Sequence, residues 1–223
     1  SELTQQTAEQ LLALYQQGAV SPVEVTQQVL QRISQLNPAL NAFCLVDEQA
    51  ALASARQSEQ RWQAHRQRGE PVGALEGIPT SIKDLILTKG WPTLRGSRAV
   101  NAQQSWDTDA PVTARLRQAG AVLLGKTTTP EYGCKGETNS PLTGYTRNPW
   151  NLRRNPGGSS AGAGAAAGIG EATAKQKPPP DVEIYVDISN QTMTVDVNGW
   201  TYGRWKVSTA RDGYYTPRGS WRP

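Results

Sequence analysis

Two features of this sequence could do chemistry together. One is the run Asn155 to Gly170, N-P-G-G-S-S-A-G-A-G-A-A-A-G-I-G, where the pair Ser159 and Ser160 follows Gly157 and Gly158. The other is Lys83, in G-I-P-T-S-I-K-D-L. A serine hydroxyl both donates and accepts, so it can relay a proton. A free lysine has a pKa near ~10.4 and holds its proton at neutral pH. Buried away from carboxylates, it releases that proton and becomes a base. Each feature alone is weak. G-G-S-S before small residues also reads as a linker or a close-packed helix start. Lys83 also reads as a solvated lysine, with Ile82-Lys83-Asp84 a strand end carrying a surface ion pair.

The surrounding elements decide whether the two can meet. Thr7-Ala-Glu-Gln10 and Ser21-Pro-Val-Glu24 are both capping boxes, so each opens a helix. The first helix carries Leu11, Leu12, Leu14 and Tyr15 and stops at Gly18. The second carries Val25, Val29, Leu30, Ile33 and Leu36 and runs to Asn37-Pro38. A third, rich in Ala and Gln, spans about Asp47 to Arg68, with His65 solvated in its polar tail. Gly77 to Leu85 leans towards a strand. Asp109 to Gly120 reads as a helix with an aspartate cap. Ala121-Val-Leu-Leu-Gly125 is a short apolar run of the buried-strand type. Helices alternating with strands predict an α/β architecture, and Ala161 to Ile169 can start a helix directly from the serine pair.

After Gly170 the pattern changes. Lys175-Gln-Lys-Pro-Pro-Pro180 is a stiff polar linker. Beyond it Val182, Ile184, Val186 and Ile188 alternate with Glu183, Tyr185 and Asp187, and Met193, Val195 and Val197 alternate with Thr194 and Asp196. Asn198-Gly199 signals a hairpin, with Trp200 to Val207 returning. The predicted organisation is residues 1–170, a linker at 171–181, and a small all-β meander at 182–223.

The bulk numbers narrow the function classes. The net charge is +4 over 223 residues, with 37% hydrophobic side chains and a mean hydropathy of −0.57. The positive charge is scattered rather than gathered on one face, which argues against nucleic-acid binding. No apolar run approaches the ~18 residues of a membrane span. Cys44 and Cys134 are isolated, with neither disulfide-framework nor metal spacing. The polar start S-E-L-T-Q-Q does not read as a signal peptide.

Three stretches occur in order: G-A-L-E-G-I-P-T-S-I-K-D-L-I, G-K-T-T-T-P-E-Y-G, and Y-T-R-N-P-W-N-L-R-R-N-P-G-G-S-S-A-G-A-G-A-A-A-G. Together they closely resemble the amidase signature family over about residues 5–170. The resemblance implies helices around a mixed sheet, here incomplete. It also implies hydrolysis of a carbon–nitrogen amide bond by a Ser–cis-Ser–Lys triad, with no metal or cofactor. By motif position Lys83 resembles the base, Ser159 the relay serine in its cis peptide, and Ser160 a supporting neighbour. Gly157 and Gly158 would let the backbone pass close to the substrate. A cytoplasmic location follows from this part.

The sequence then departs from the family. The nucleophile would lie about two dozen residues after the relay serine, between glycines. Residues Asp181 to Ile184 stand there instead, and neither Ser189 nor Ser208 has flanking glycines. No nucleophile is assigned, and the polypeptide alone is expected to be inactive. Residues 182–223, through Q-T-M-T-V, N-G, V-S-T-A-R and T-P-R-G-S-W, resemble the start of an L,D-transpeptidase domain. That implies a possible peptidoglycan partner and an envelope location, but the cysteine and histidine of that chemistry are missing. Two alternatives stay open: a binding module without catalysis, and a degenerate or artefactual joining of two genes.

Overall fold

The computed structural model describes residues 3–171, 182–187, 192–197 and 200–206. The chain divides into two compact units, Ser1–Ala174 and Lys175–Pro223. The first unit is an α/β layer. Helices α1 (Ala8–Gln17), α2 (Pro22–Leu40), α3 (Glu48–Arg68), α4 (Pro111–Gln118) and α5 (Ala161–Glu171) surround a sheet of β1 (Phe43–Val46), β2 (Pro79–Lys83) and β3 (Val122–Thr127). The sheet order is β1-β3-β2, with β1–β3 antiparallel and β2–β3 parallel, so the sheet is mixed. A small hairpin, β4 (Asn139–Ser140) and β5 (Gly144–Tyr145), lies in the long connection to α5.

Local chemistry sets the helix bounds. Both capping boxes form: Thr7 with Gln10 starts α1 and Ser21 with Glu24 starts α2. Gly18 ends α1 and Gly69 ends α3, each left-handed. Asp47 caps α3 through Ala50 N at 2.9 Å and also accepts the Trp91 indole N–H at 2.8 Å. Two bounds differ from the sequence reading. Helix α2 runs through Pro38 to Leu40, because the Asn41 N–H closes onto Asn37 O at 2.7 Å in a left-handed cap. Helix α4 starts at Pro111 without a side-chain cap. Asp109 instead accepts the Lys89 N–H at 2.7 Å and Arg117 Nε at 3.0 Å. Strand β1 had no counterpart in the sequence reading. Asn37 holds its start, with Oδ1 accepting from Ala42 N and Phe43 N.

The core fills both faces of β3. On one face Val122 and Leu124 pack with Leu30, Ile33, Leu40, Phe43 and Ala165. On the other, Leu123 packs with Ile82, Trp91 and Ala121. A bulge sits between them. Thr80 pairs with Leu123 and Ser81 with Gly125, so Leu124 is the extra residue. The pleat changes phase at that point. Lys126 therefore pairs with Ile82, and Thr127 with Lys83.

In the second unit β6 (Val182–Asp187), β7 (Thr192–Val197) and β8 (Trp200–Lys206) form an antiparallel meander. Val182 pairs with Val197, and Val197 with Trp200. Ile188, Ser189, the linker residues 172–181, the Asn198-Gly199 turn and residues 207–223 lie outside the described residues. Among the described residues, no helix is long and apolar enough to cross a membrane.

Candidate active site

Lys83 is the last residue of β2, and Ser160 immediately precedes α5. The fold brings them together: Lys83 Nζ lies 2.8 Å from Ser159 Oγ and 2.9 Å from Ser160 Oγ. The peptide bond between Gly158 and Ser159 is cis. Thr129 Oγ1 donates to the Ser159 carbonyl at 3.2 Å, which ties the serine loop to the end of β3. Gly158 is exposed to solvent, yet a Cβ on it would lie 2.7 Å from Lys135 O, Gly136 C and Glu137 N. The missing side chain thus seats the serine loop on the 135–137 backbone. Gly157 has φ +100° with open space around it, a conformation that glycine adopts without strain.

Among the described residues no carboxylate is paired with Lys83, which is perturbed by desolvation alone. Asp84, next in sequence, lies in the turn that follows β2 and is buried. Its carboxylate accepts the backbone N–H groups of Leu94 at 3.2 Å and Gly96 at 3.3 Å, and lies 3.9 Å from Lys126 Nζ. The surface Lys83–Asp84 ion pair considered from sequence does not form. Desolvation moves the Lys83 amine below the ordinary lysine range, because burial disfavours the charged form. The change makes a proton acceptor more accessible.

Two residues of the site, Lys126 and Thr129, escaped the sequence reading, and Asp84 was paired there with the wrong lysine. Lys126 is fully buried. It donates to Ile86 O at 2.6 Å and to Thr93 Oγ1 at 2.8 Å. It therefore braces the loop that leaves Lys83. Asp84 is its ionic partner, and Thr129 holds the Gly158–Ser159 loop. The available signal was a lysine inside the apolar run A-V-L-L-G-K-T. Such a residue must be buried with the strand and hence paired.

Of the other candidates, Cys44 donates its thiol to Lys126 O at 3.5 Å. His65 Nδ1 donates to Glu70 O at 2.7 Å, and its ring stands edge-on to Trp62 at 5.5 Å. It is half-buried rather than solvated, because Trp62 supplies an aromatic face beside it. Cys44 and Cys134 are both free thiols. Among the described residues no three His, Cys, Asp or Glu side chains gather as a metal-ligating group.

The family model described as Amidase matches residues 24–175. The chain belongs to the amidase signature family. The amidase unit is 42% identical over 162 residues to a glutamyl-tRNA(Gln) amidotransferase subunit from Salinispora tropica, covering 73% of this chain and 32% of the relative. The corresponding protein of Myxococcus xanthus is 39% identical over 161 residues, with 72% and 32% covered. A bacterial aryl acylamidase aligns at a TM-score of 0.67 and 36% identity, over 74% of this chain and 34% of that one. The peptide amidase of Stenotrophomonas maltophilia aligns at 0.64 and 35%, over 71% and 33%. The chain thus spans about a third of the length of the amidase relatives it matches. The family match does not extend into the β6–β8 unit.

Proposed function

We propose that the amidase unit carries the base and the relay of a Ser–cis-Ser–Lys amide hydrolase: Lys83 as base, Ser159 as relay, with Gly157, Gly158 and Ser160 in support. The observation that carries this reading is the Lys83 amine held at 2.8 and 2.9 Å from two serine hydroxyls. The chemistry is cleavage of a carbon–nitrogen amide bond. The acyl group passes to a serine, and the amine leaves with a proton returned through Ser159 from Lys83. Turnover needs a third serine set between glycines, and no serine of residues 172–223 has glycine on both sides. This polypeptide by itself is therefore proposed to be inactive on amides. Incubation with primary amides and anilides, followed by ammonia and arylamine release, is expected to show no signal above buffer. Release that Lys83→Ala abolishes would overturn the inactivity. Release that survives both Lys83→Ala and Ser159→Ala would overturn the site assignment.

The proposed domain limits are 1–170, a linker at 171–181, and 182–223. Sparing trypsin treatment is expected to cut first after Lys175, since Lys177 precedes proline. A first cut inside 1–170 would contradict this division.

For residues 182–223 the reading rests on their sequence motifs alone: an L,D-transpeptidase-like module that binds peptidoglycan without catalysis. Retention on purified sacculi tests it, and free passage through them would remove it.

A further inference from the structure

Lys83 contacts two hydroxyls, but a neutral amine has a single lone pair. It can accept a proton from one serine while it donates to the other. The two serines are not equivalent. Ser159 is half-buried, its carbonyl is held by Thr129, and its Oγ lies 3.8 Å from where a Gly133 Cβ would stand. Ser160 is exposed and opens α5, its carbonyl accepting the first helical bond from Gly164 N at 3.0 Å. The N–H groups of Ala161, Gly162 and Ala163 precede that bond. They give this end of the helix a partial positive charge.

We propose that Ser160 and Lys83 form a serine–lysine dyad in this chain, with Ser160 a nucleophile toward activated acyl esters and phosphonyl fluorides. The proposal rests on the reading of Lys83 as a base. In it, Ser159 accepts an N–H of Lys83 and fixes the amine so that its lone pair faces Ser160 Oγ. With an aryl ester, the Ser160 Oγ–carbonyl bond forms as the hydroxyl proton passes to Lys83 Nζ. The bond to the aryl oxygen then breaks, and Lys83 returns the proton to the leaving phenolate. Ser160 is left esterified. The oxyanion develops on the ester's carbonyl oxygen, held next to the residue that opens α5, where backbone dipoles favour negative charge. Ser160 sits at a loop-to-helix junction rather than a strand-to-helix elbow, with the N–H that follows it at the start of α5. An amide makes a far poorer electrophile with a poorer leaving group, so this dyad is compatible with the absence of amide turnover.

The test is labelling of the full 223-residue chain with an alkyl fluorophosphonate, read by intact mass and by peptide fragmentation. One label on Ser160, with fluoride released, is expected. Ser160→Ala and Lys83→Met should each lower the labelling rate by at least roughly 100-fold, within the range for a positioned base, with unchanged far-ultraviolet dichroism. The rate should rise with pH and level off below the ordinary lysine value, following the lowered proton affinity of Lys83. A label on Ser159, a label on tyrosine or lysine, or no label on a folded chain would overturn the dyad. Competitive acetylation of Lys83 with acetic anhydride reads its proton affinity separately. An ordinary lysine value there would sink the base reading itself. A lowered value with Ser160 unlabelled would sink the dyad alone.

Discussion

Lys126→Met is expected to destabilise the amidase unit by about 3–5 kcal/mol at neutral pH, the range for removing one partner of a buried ion pair. Lys126 is fully buried and Asp84 nearly so. The substitution keeps most of the side-chain volume, so cavity formation contributes little. What it removes is the ammonium beside the Asp84 carboxylate and the donors to Ile86 O and Thr93 Oγ1. The carboxylate is left buried with only backbone N–H donors. Adding Asp84→Asn should restore roughly half of the loss or more, because the stranded charge is gone. A urea unfolding series checks both variants, and a Lys126→Met midpoint equal to the parent would refute the argument. The pH dependence follows from burial, which pulls the Lys126 amine from 10.5 down to about 8. Below about 8 both folded and unfolded chains hold the proton, and the folded state bears the whole cost of a buried charge. Between about 8 and 10.5 the unfolded chain still binds a proton that the folded chain has released. Stability therefore rises with pH across that window. In Lys126→Met this rise should vanish.

Gly125→Ala is expected to cost about 4 kcal/mol or more, the size reserved for a backbone collision in a core. Gly125 has φ +156°, and an added Cβ would run into the Leu45 carbonyl oxygen on the neighbouring strand, with Val46 Cα at 2.9 Å. The obstacle is backbone, so no rotamer relieves it. Relief would require β1 to move off β3. The bulge at this point also decides which lysine faces which side. Smoothing it would put Lys126 out of phase with Ile82 and Asp84, and Thr127 out of phase with Lys83. Loss of soluble protein or a collapsed urea midpoint is the readout. Gly164→Ala is the control. Nothing lies within 4 Å of that Cβ, and Gly164 sits on the exposed side of α5. It should be neutral or stabilising by up to ~1 kcal/mol. Equal damage from both substitutions would defeat the explanation.

The legibility of the fold tracked how local each signal is. The capping boxes at Thr7 and Ser21 involve side chains three residues apart, and both form as read. The stops at Gly18 and Gly69 were equally local. Strand β1 was missed because F-C-L-V owes its start to Asn37 six residues away and its pairing to β3, far along the chain. Asp109 was misread as a cap because its partners, Lys89 and Arg117, come from outside the local sequence. The meeting of Lys83 with the serine pair was inferable only from motifs taken together. The role of Lys126 depended on a bulge, which shifts the pleat by one residue and leaves no plain mark in an apolar run.

The Lys83–Ser159 contact closes a separation of 76 residues. Chains emerge at about 5–20 residues per second, so Lys83 is made roughly 4–15 s before the serine it will bind. Until α5 docks, that amine is an ordinary surface cation. The lowering of its proton affinity by desolvation is thus a chemical timestamp, one that records when the nascent amidase unit has closed around it.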